Sequence, residues 1–457
     1  MARGTGLLAG RALRGGRWSL VGLALVTALG GGAAIGGAVA AHRTDHAYGE
    51  YIEDAEVAEL VVNTSVRTKA MDEAIRGFDG VESVRMNTLL LASVSVTEPT
   101  PLAEGADKDP WLQTLGSVDG RFIDVDRPAV HQGRVPSGTR EVFVSEDYRE
   151  ELERIQGRAL DVGDEIDVGF FWGGLFDADD PNEVIEPLGV EALRISGFGV
   201  LADEVLPDEL YPRQRLVISP DVTARYYCLP ELTSDMSYEE AFAASLPEHC
   251  SAQYDYYSLN VRGGAAGVRS IRDQFEAAAA RLDDDLPSEF AENGIGYFYI
   301  SQERADLDEA VRETTRPAVT ALVAFTVVAV LATVTIAGLT VARQQRRAGA
   351  AHRHLHAVGA TRMQRTVWSA TPLLLAAALG TLGALAIAFA VSPIGPLGTV
   401  RSIDPSPGPS LPMAAALPVA VAIALALAAG IVGVVAHAPR RTPPPAVDPP
   451  PATGRIP

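Results

Sequence analysis

RQQRRAGAAHRHLHAVGATRMQR, residues Arg343–Arg365, decides how the rest of the chain is laid out. It holds six arginines and no acidic residue, and it lies between two apolar runs, Ala318–Val341 and Leu373–Val391. A short basic loop between two membrane spans stays on the cytoplasmic side. Two further apolar runs, Ser19–Ala41 and Leu411–Ala436, flank the pair in the sequence. A span needs roughly 20 apolar residues at about 1.5 Å of rise each, and all four runs approach or exceed that.

Charge follows the same division. The chain of 457 residues has a net charge of −20. Residues 1–41 contain four arginines and no acid, and residues 317–457 contain ten arginines and two acids. Residues 42–316 contain 24 basic and 56 acidic residues. The acidic middle therefore reads as translocated and the basic flanks as cytoplasmic.

These observations predict an α-helical membrane protein with four transmembrane helices and a large α+β extracytoplasmic domain between spans one and two. The expected order is a cytoplasmic N-terminus (1–18), span one (19–41), an exterior domain (42–316) and span two (318–341). A cytoplasmic loop (342–368), span three (369–391), a short exterior loop (392–410), span four (411–436) and a Pro-rich cytoplasmic tail (437–457) complete it. A rival reading of the first run is a secretory signal peptide, with Arg3, Arg11, Arg14 and Arg17 as its basic region and Ala38-Val39-Ala40 as a cleavage site. The length of the run favours a retained span.

The only cysteines, Cys228 and Cys250, both fall in the exterior domain. An oxidising compartment favours their pairing as a disulfide. A metal centre built from the two and His249 lacks a fourth ligand, and none is expected. Within the domain, Glu53–Phe78 has apolar residues at helical spacing and reads as one helix rising from span one. Val81–Arg85, Leu89–Val96, Glu141–Ser145, Glu165–Phe171, Ala192–Val200, Arg215–Ser219, Tyr257–Val261 and Tyr297–Ile300 read as strands. Glu146–Ile155, Ala265–Leu282 and Gln302–Arg316 read as helices, the last running into span two.

Motifs for chemistry are few. There is no G-x-x-x-x-G-K-[ST] loop to cradle nucleotide phosphates, no H-E-x-x-H zinc helix and no G-x-S-x-G nucleophile elbow. The apolar runs contain no ionisable residue, which argues against an ion- or proton-coupled transporter. His352, His354 and His356 alternate in the basic loop, but on a helix only His352 and His356 share a face, so they read as solvated. Asp177, Asp179 and Asp180, and Asp283–Asp285, lack EF-hand spacing and read as solvated acidic runs. The arginines of the loop can also meet anionic lipid headgroups.

Leu355-His356-Ala357-Val358-Gly359-Ala360-Thr361-Arg362-Met363-Gln364, placed between spans two and three, resembles the L-R-A-x-G-A-T-R-x-Q stretch of the FtsX/MacB-type permease subunits of ABC transporters. The exterior runs VHQGRVPSGTREVFVSE (Val130–Glu146) and ALDVGDEIDV (Ala159–Val168) resemble the periplasmic core domain of such permeases. The resemblance covers nearly the whole chain and is weakest between Asp221 and Ser258. It implies a non-catalytic membrane subunit in a bacterial plasma membrane, with both termini cytoplasmic. The partners implied are a cytosolic ABC ATPase subunit, a second copy or sister permease, and membrane lipid. No cofactor and no nucleic acid are implied.

The loop residues implied to couple to the ATPase are Arg346, Arg347, Leu355, Val358, Gly359, Ala360, Thr361 and Arg362. ATP-driven motion of spans one and two would then reach the exterior domain, for export or extraction of an amphiphile, peptide or lipoprotein. The alternative is a mechanotransmitting regulator of an exterior partner such as a cell-wall hydrolase. The chain departs from the family pattern at Ala351, where relatives often carry an acid, and in having one four-span unit where many long relatives have two.

Overall fold

A computed structural model describes residues 17–64, 67–102, 104, 112–121, 124–175, 183–206, 215–229, 232, 235–282, 298–347, 361–404 and 407–437. The chain divides into two compact units. One comprises Met1–Arg43, Ala318–Pro396 and Ser406–Pro457, and the other Thr44–Pro317 with Leu397–Pro405.

Among the described residues, four helices are long and apolar enough to cross a membrane: α1 (Arg17–Ala55), α7 (Arg304–Arg347), α8 (Arg362–Val391) and α9 (Met413–His437). Half of the most apolar window of α1 is buried, against 11% for α7 and 28% for α8 and α9, so α1 is the most enclosed of the four. Glycines make that possible. A Cβ on Gly30 would lie 2.3 Å from Thr333 Oγ1 of α7, and one on Gly32 would lie 2.7 Å from the Ile387 side chain of α8. On Gly380 of α8 it would lie 2.6 Å from the Thr27 side chain of α1. Small residues at helix crossings let backbones approach and gain dispersion contact where burial from water supplies no drive. Leu23, Ile35 and Val39 of α1 share a core with Ala337 and Val341 of α7, Leu373 and Ala384 of α8, and Ile423 and Leu427 of α9. Leu25, Val328, Leu331, Leu379 and Leu425 point outward and are exposed.

The other unit is sheet-rich. The strands of its large sheet are β1 (Leu60–Thr64), β2 (Val81–Ser93), β3 (Leu112–Ser117), β4 (Ala129–Gly133) and β5 (Glu141–Ser145). They continue with β6 (Glu165–Phe170), β7 (Gly189–Val200), β8 (Arg215–Ile218), β9 (Ala252–Val261) and β10 (Phe298–Glu303). Hydrogen bonding runs β10-β1-β9-β2-β3-β8-β5-β7-β4, and β6 pairs with both β2 and β7. The second connection closes β2, β3, β8, β5, β7 and β6 into a ring, which removes the free edges those strands would otherwise present. The pairs β3–β8 and β5–β7 are parallel, and the other pairs in the ring are antiparallel.

Alternate residues fill the ring. Leu90 and Ala92, Val142 and Val144, Ile166 and Val168, Leu193 and Ile195, and Leu216 and Ile218 are all buried in one core. Helix α3 (Glu146–Gln156) contributes Tyr148 and Leu152 to it, and α4 (Pro220–Tyr226) contributes Val222 and Tyr226. Tyr226 stacks on Phe170 with ring centroids 4.2 Å apart. Beyond the ring, β10, β1, β9 and the Val81–Leu90 part of β2 form an antiparallel sheet. Helices α2 (Lys69–Arg76) and α6 (Gly264–Leu282) pack on it through Ile75, Val268, Ile271 and Phe275. A short helix, α5 (Tyr238–Ser245), lies between α4 and β9 in the chain.

Two expectations within this unit need correction. Glu53–Phe78 is not one helix: α1 ends at Ala55, Glu56 takes φ 50°, β1 follows and α2 begins only at Lys69. Leu60 and Val62 are both fully buried while Val61 is not, which is the period of a strand. Val81–Arg85 and Leu89–Val96 are one 13-residue strand, whose middle pairs with β9 on one side and β3 on the other. β3 and β4 had no sequence signal strong enough to mark them. Between α8 and α9, Leu397–Pro405 groups with the sheet-rich unit, where Val400 and Ile403 are fully buried against Tyr48, Tyr51 and Val311.

Candidate functional site

The basic segment is bounded by helix. α7 continues to Arg347 and α8 begins at Arg362. Arg346 is exposed, beside the buried Gln345. Arg347 and Arg362 belong to the helix ends, and their side chains lie outside the described residues. Leu355, Val358, Gly359 and Ala360 lie outside the described residues, as do His352, His354 and His356.

Thr361, also in the predicted coupling set, is the N-cap of α8. Its Oγ1 accepts from the Gln364 backbone N–H at 3.3 Å, and Gln364 Oε1 accepts from the Thr361 N–H at 3.1 Å. This reciprocal capping box satisfies two donors that the first helical turn would otherwise leave bare. The T-R-M-Q end of the loop motif is therefore a helix start, a role that the S/T-x-x-Q spacing alone could have suggested.

The two exterior runs also resolve into structural parts. Glu141, with its side chain 1% exposed, accepts from Arg134 at 2.8 and 2.7 Å, from Arg194 at 3.0 Å, and from the N–H groups of Ser137 and Gly138 at 3.0 and 2.8 Å. The Arg134 guanidinium first, and then these N–H groups and Arg194, hold its carboxyl down to about 2 against the cost of burial. Gly133 has φ 72°, and a Cβ there would lie 2.2 Å from the Ser196 carbonyl oxygen. Gly163 has φ 101° in the turn before β6, where Asp164 accepts from the Asp161 N–H and from Arg158.

His131 bridges Glu146 and the Leu397–Pro405 segment, its Nδ1 3.3 Å from Glu146 Oε2 and its Nε2 2.5 Å from the Ser402 carbonyl oxygen. Both neighbours are acceptors, and the Glu146 bond first raises the imidazole pKa, so the doubly protonated ring suits the position. Glu204 is buried, takes hydrogen bonds from Ser145 Oγ at 2.9 Å and Leu201 N at 3.1 Å, and is pushed up to about 7 by burial and then by Asp203.

One cleft of about 600 Å³ in the sheet-rich unit is lined by Gly49, Ile52, Glu53, Glu56, Val57, Glu82, Ser83, Asn260, Arg304 and Asp308. Four carboxylates against one guanidinium give it an acidic wall. Cys228 and Cys250 form a disulfide, with Cα atoms 5.8 Å apart. The acidic runs Asp177–Asp180 and Asp283–Asp285 lie outside the described residues.

Compared with known proteins, the chain matches no family model and no curated relative.

Proposed function

We propose that this chain is the membrane subunit of an FtsX/MacB-type ABC transporter, moving an extracytoplasmic domain in response to ATP hydrolysis by a cytosolic partner. The observation that carries the reading is the length of the two helices flanking the sheet-rich insertion. α1 has 39 residues and α7 has 44, the second continuous in helix through an internal proline, Pro317. At 1.5 Å per residue they extend about 58 and 66 Å, roughly twice the ~30 Å needed to cross the hydrocarbon. A helix twice as long as its membrane segment can carry a displacement from one end to the other, and α1, which has no internal proline, is the stiffer of the two.

The basic segment between α7 and α8 is the proposed seat of the ATPase, with Leu355–Ala360 as its contact and Thr361 fixing where α8 starts. Orientation with this segment in the cytoplasm follows from its arginines. The central packing of α1 supports its retention as a span. Co-purification of the intact chain from its native membrane, followed by identification of any Walker-motif ATPase bound to it, tests the reading. Recovery of such an ATPase supports it, and its consistent absence under conditions that preserve other membrane complexes contradicts it.

A further inference from the structure

Leu397–Pro405, between α8 and α9 in the chain, is a strap held down at several points. Val400 and Ile403 are fully buried among Tyr48, Tyr51, Val200 and Val311. Val400 belongs to the 3₁₀ turn Thr399–Arg401, and side chains three apart share one side of such a turn. The Leu397 N–H donates to Thr44 Oγ1 at 3.0 Å. Burial pushes both tyrosines up, so none of these contacts changes charge near neutral pH.

One contact does. His131 of β4 meets the strap through Nε2, 2.5 Å from the Ser402 carbonyl oxygen, and meets α3 through Nδ1, 3.3 Å from Glu146 Oε2. Ser402 spends its own donors inside the strap: its N–H and its Oγ both bond the Thr399 carbonyl, at 3.3 and 2.8 Å. Both ring nitrogens of His131 therefore face oxygen acceptors. Imidazolium has an N–H for each. Neutral imidazole has one, and must set a lone pair against a lone pair at the other contact.

We propose that His131 is a proton-dependent peg: protonated, it fastens the Leu397–Pro405 strap to β4 and α3, and on losing its proton it gives up that fastening. Val400 and Ile403 hold the strap at any pH, and His131 sets how firmly. The device does not depend on the ATPase reading, since it needs only the folded chain.

The charges around the ring fix the direction. From α3 it meets Glu146, whose other oxygen lies 3.6 Å from Arg149, while Asp147 follows Glu146 in the chain. His131 in turn holds the Glu146 carboxyl below its usual range, which keeps the acceptor ionised. The strap's own charged residues are Arg401 and Asp404. β7, paired with β4 here, presents Phe198, Gly199 and Val200, none of which titrates. The Glu146 bond raises the imidazole more than burial and Arg149 lower it. A raised imidazole stabilises while protonated, so the fastening is full below its ordinary value of about 6.5 and weakens as pH rises through the raised one.

The test follows hydrogen exchange in peptides covering residues 397–405, on the full chain in detergent, from about pH 6 to about pH 8.5. Each rate is divided by the unprotected rate at the same pH. Protection in wild type should fall roughly fivefold across that range, the worth of one hydrogen bond at a partly exposed site. His131→Gln has no such proton to lose, and its protection should stay flat. Glu204, which also titrates near 7, is present in both chains, so the difference between them belongs to His131. Glu146→Gln keeps an acceptor for Nδ1 but removes the charge that raises the ring, so its fall should come at lower pH. A contact that is only structural would not move that midpoint. Should His131→Gln lose its fold by circular dichroism, the Glu146→Gln midpoint decides alone. Flat protection in wild type, the same pH dependence in His131→Gln, or an unmoved midpoint in Glu146→Gln overturns the proposal.

Discussion

Thr361 and Gln364 cap helix α8 for each other, the hydroxyl accepting from the Gln364 N–H and the amide oxygen accepting from the Thr361 N–H. The N-cap of α8 is thereby fixed at Thr361, directly after the Gly359-Ala360 pair in the sequence. A segment that must present Leu355–Ala360 to a partner gains from having its downstream end nailed to a definite residue.

Thr361→Ala should therefore loosen the beginning of α8 by about 1 kcal/mol, the usual cost of losing such a cap. Hydrogen exchange at Met363 and Gln364 should quicken, while exchange in the apolar middle of α8 stays unchanged. Thr361→Ser should restore protection, because the serine hydroxyl accepts the same bond. Equal exchange in Thr361→Ala and wild type would show that the cap carries no weight.

Glu141 organises the turn before β5, and its carboxyl titrates far lower in the folded protein than in the unfolded chain. A depressed acid stabilises the fold above its unfolded pKa, and that contribution is lost as pH falls towards the folded value of about 2. Thermal unfolding of wild type should lose stability between about pH 5 and pH 2, where the unfolded carboxylate takes up its proton first. Glu141→Gln should show a lower melting temperature at pH 7 and a flatter acid limb. Parallel acid limbs would contradict the assignment.

Glu204 has the opposite sign. Its folded pKa of about 7 exceeds its ordinary value, so the folded state holds the proton more tightly. Stability from this group is full below about pH 4.5 and falls as pH rises through 7. Glu204→Gln should melt higher than wild type at pH 8 and show a much smaller difference at pH 4. A variant equally destabilised at both pH values would remove the argument.

The Cys228–Cys250 disulfide spans 22 residues, a closure worth about 3 kcal/mol in the chain-entropy account. Replacing both cysteines with serine should lower the denaturant midpoint of the sheet-rich unit. The slope with denaturant should rise slightly, because the unfolded chain without its cross-link exposes more surface. No shift in midpoint would mean that the backbone hydrogen bonds of Ser251 and Gly173 alone hold the segment.

The four long apolar helices are legible in the sequence because about 20 residues of uninterrupted apolarity have few other uses. Strands such as Glu141–Ser145 and Arg215–Ile218 are legible because each is a β-branched run ended by turn residues. Leu60–Thr64 is not, because Val57, Leu60 and Val61 also fit a helical spacing and only pairing with β9 and β10 settles the period. The closed ring is invisible too: it depends on the two-residue contact of Ala92 and Ser93 with Phe170 and Gly169, and no local pattern encodes it. The letters that carry the family resemblance split into two kinds. Arg134, Glu141, Gly163, Thr361 and Gln364 have structural duties that explain them, whereas Leu355, Val358 and Gly359 lie outside the described residues.

The most direct measurement is binding and stimulation of the co-purifying ATPase by chains carrying Val358→Glu and Gly359→Glu, with Thr361 and Gln364 intact so that α8 still starts correctly. Val358→Glu and Gly359→Glu are predicted to lose at least tenfold in ATPase affinity and all stimulation of hydrolysis, while the sheet-rich unit melts as in wild type. Wild-type binding and stimulation in both variants would contradict the claim that this loop couples the chain to ATP hydrolysis.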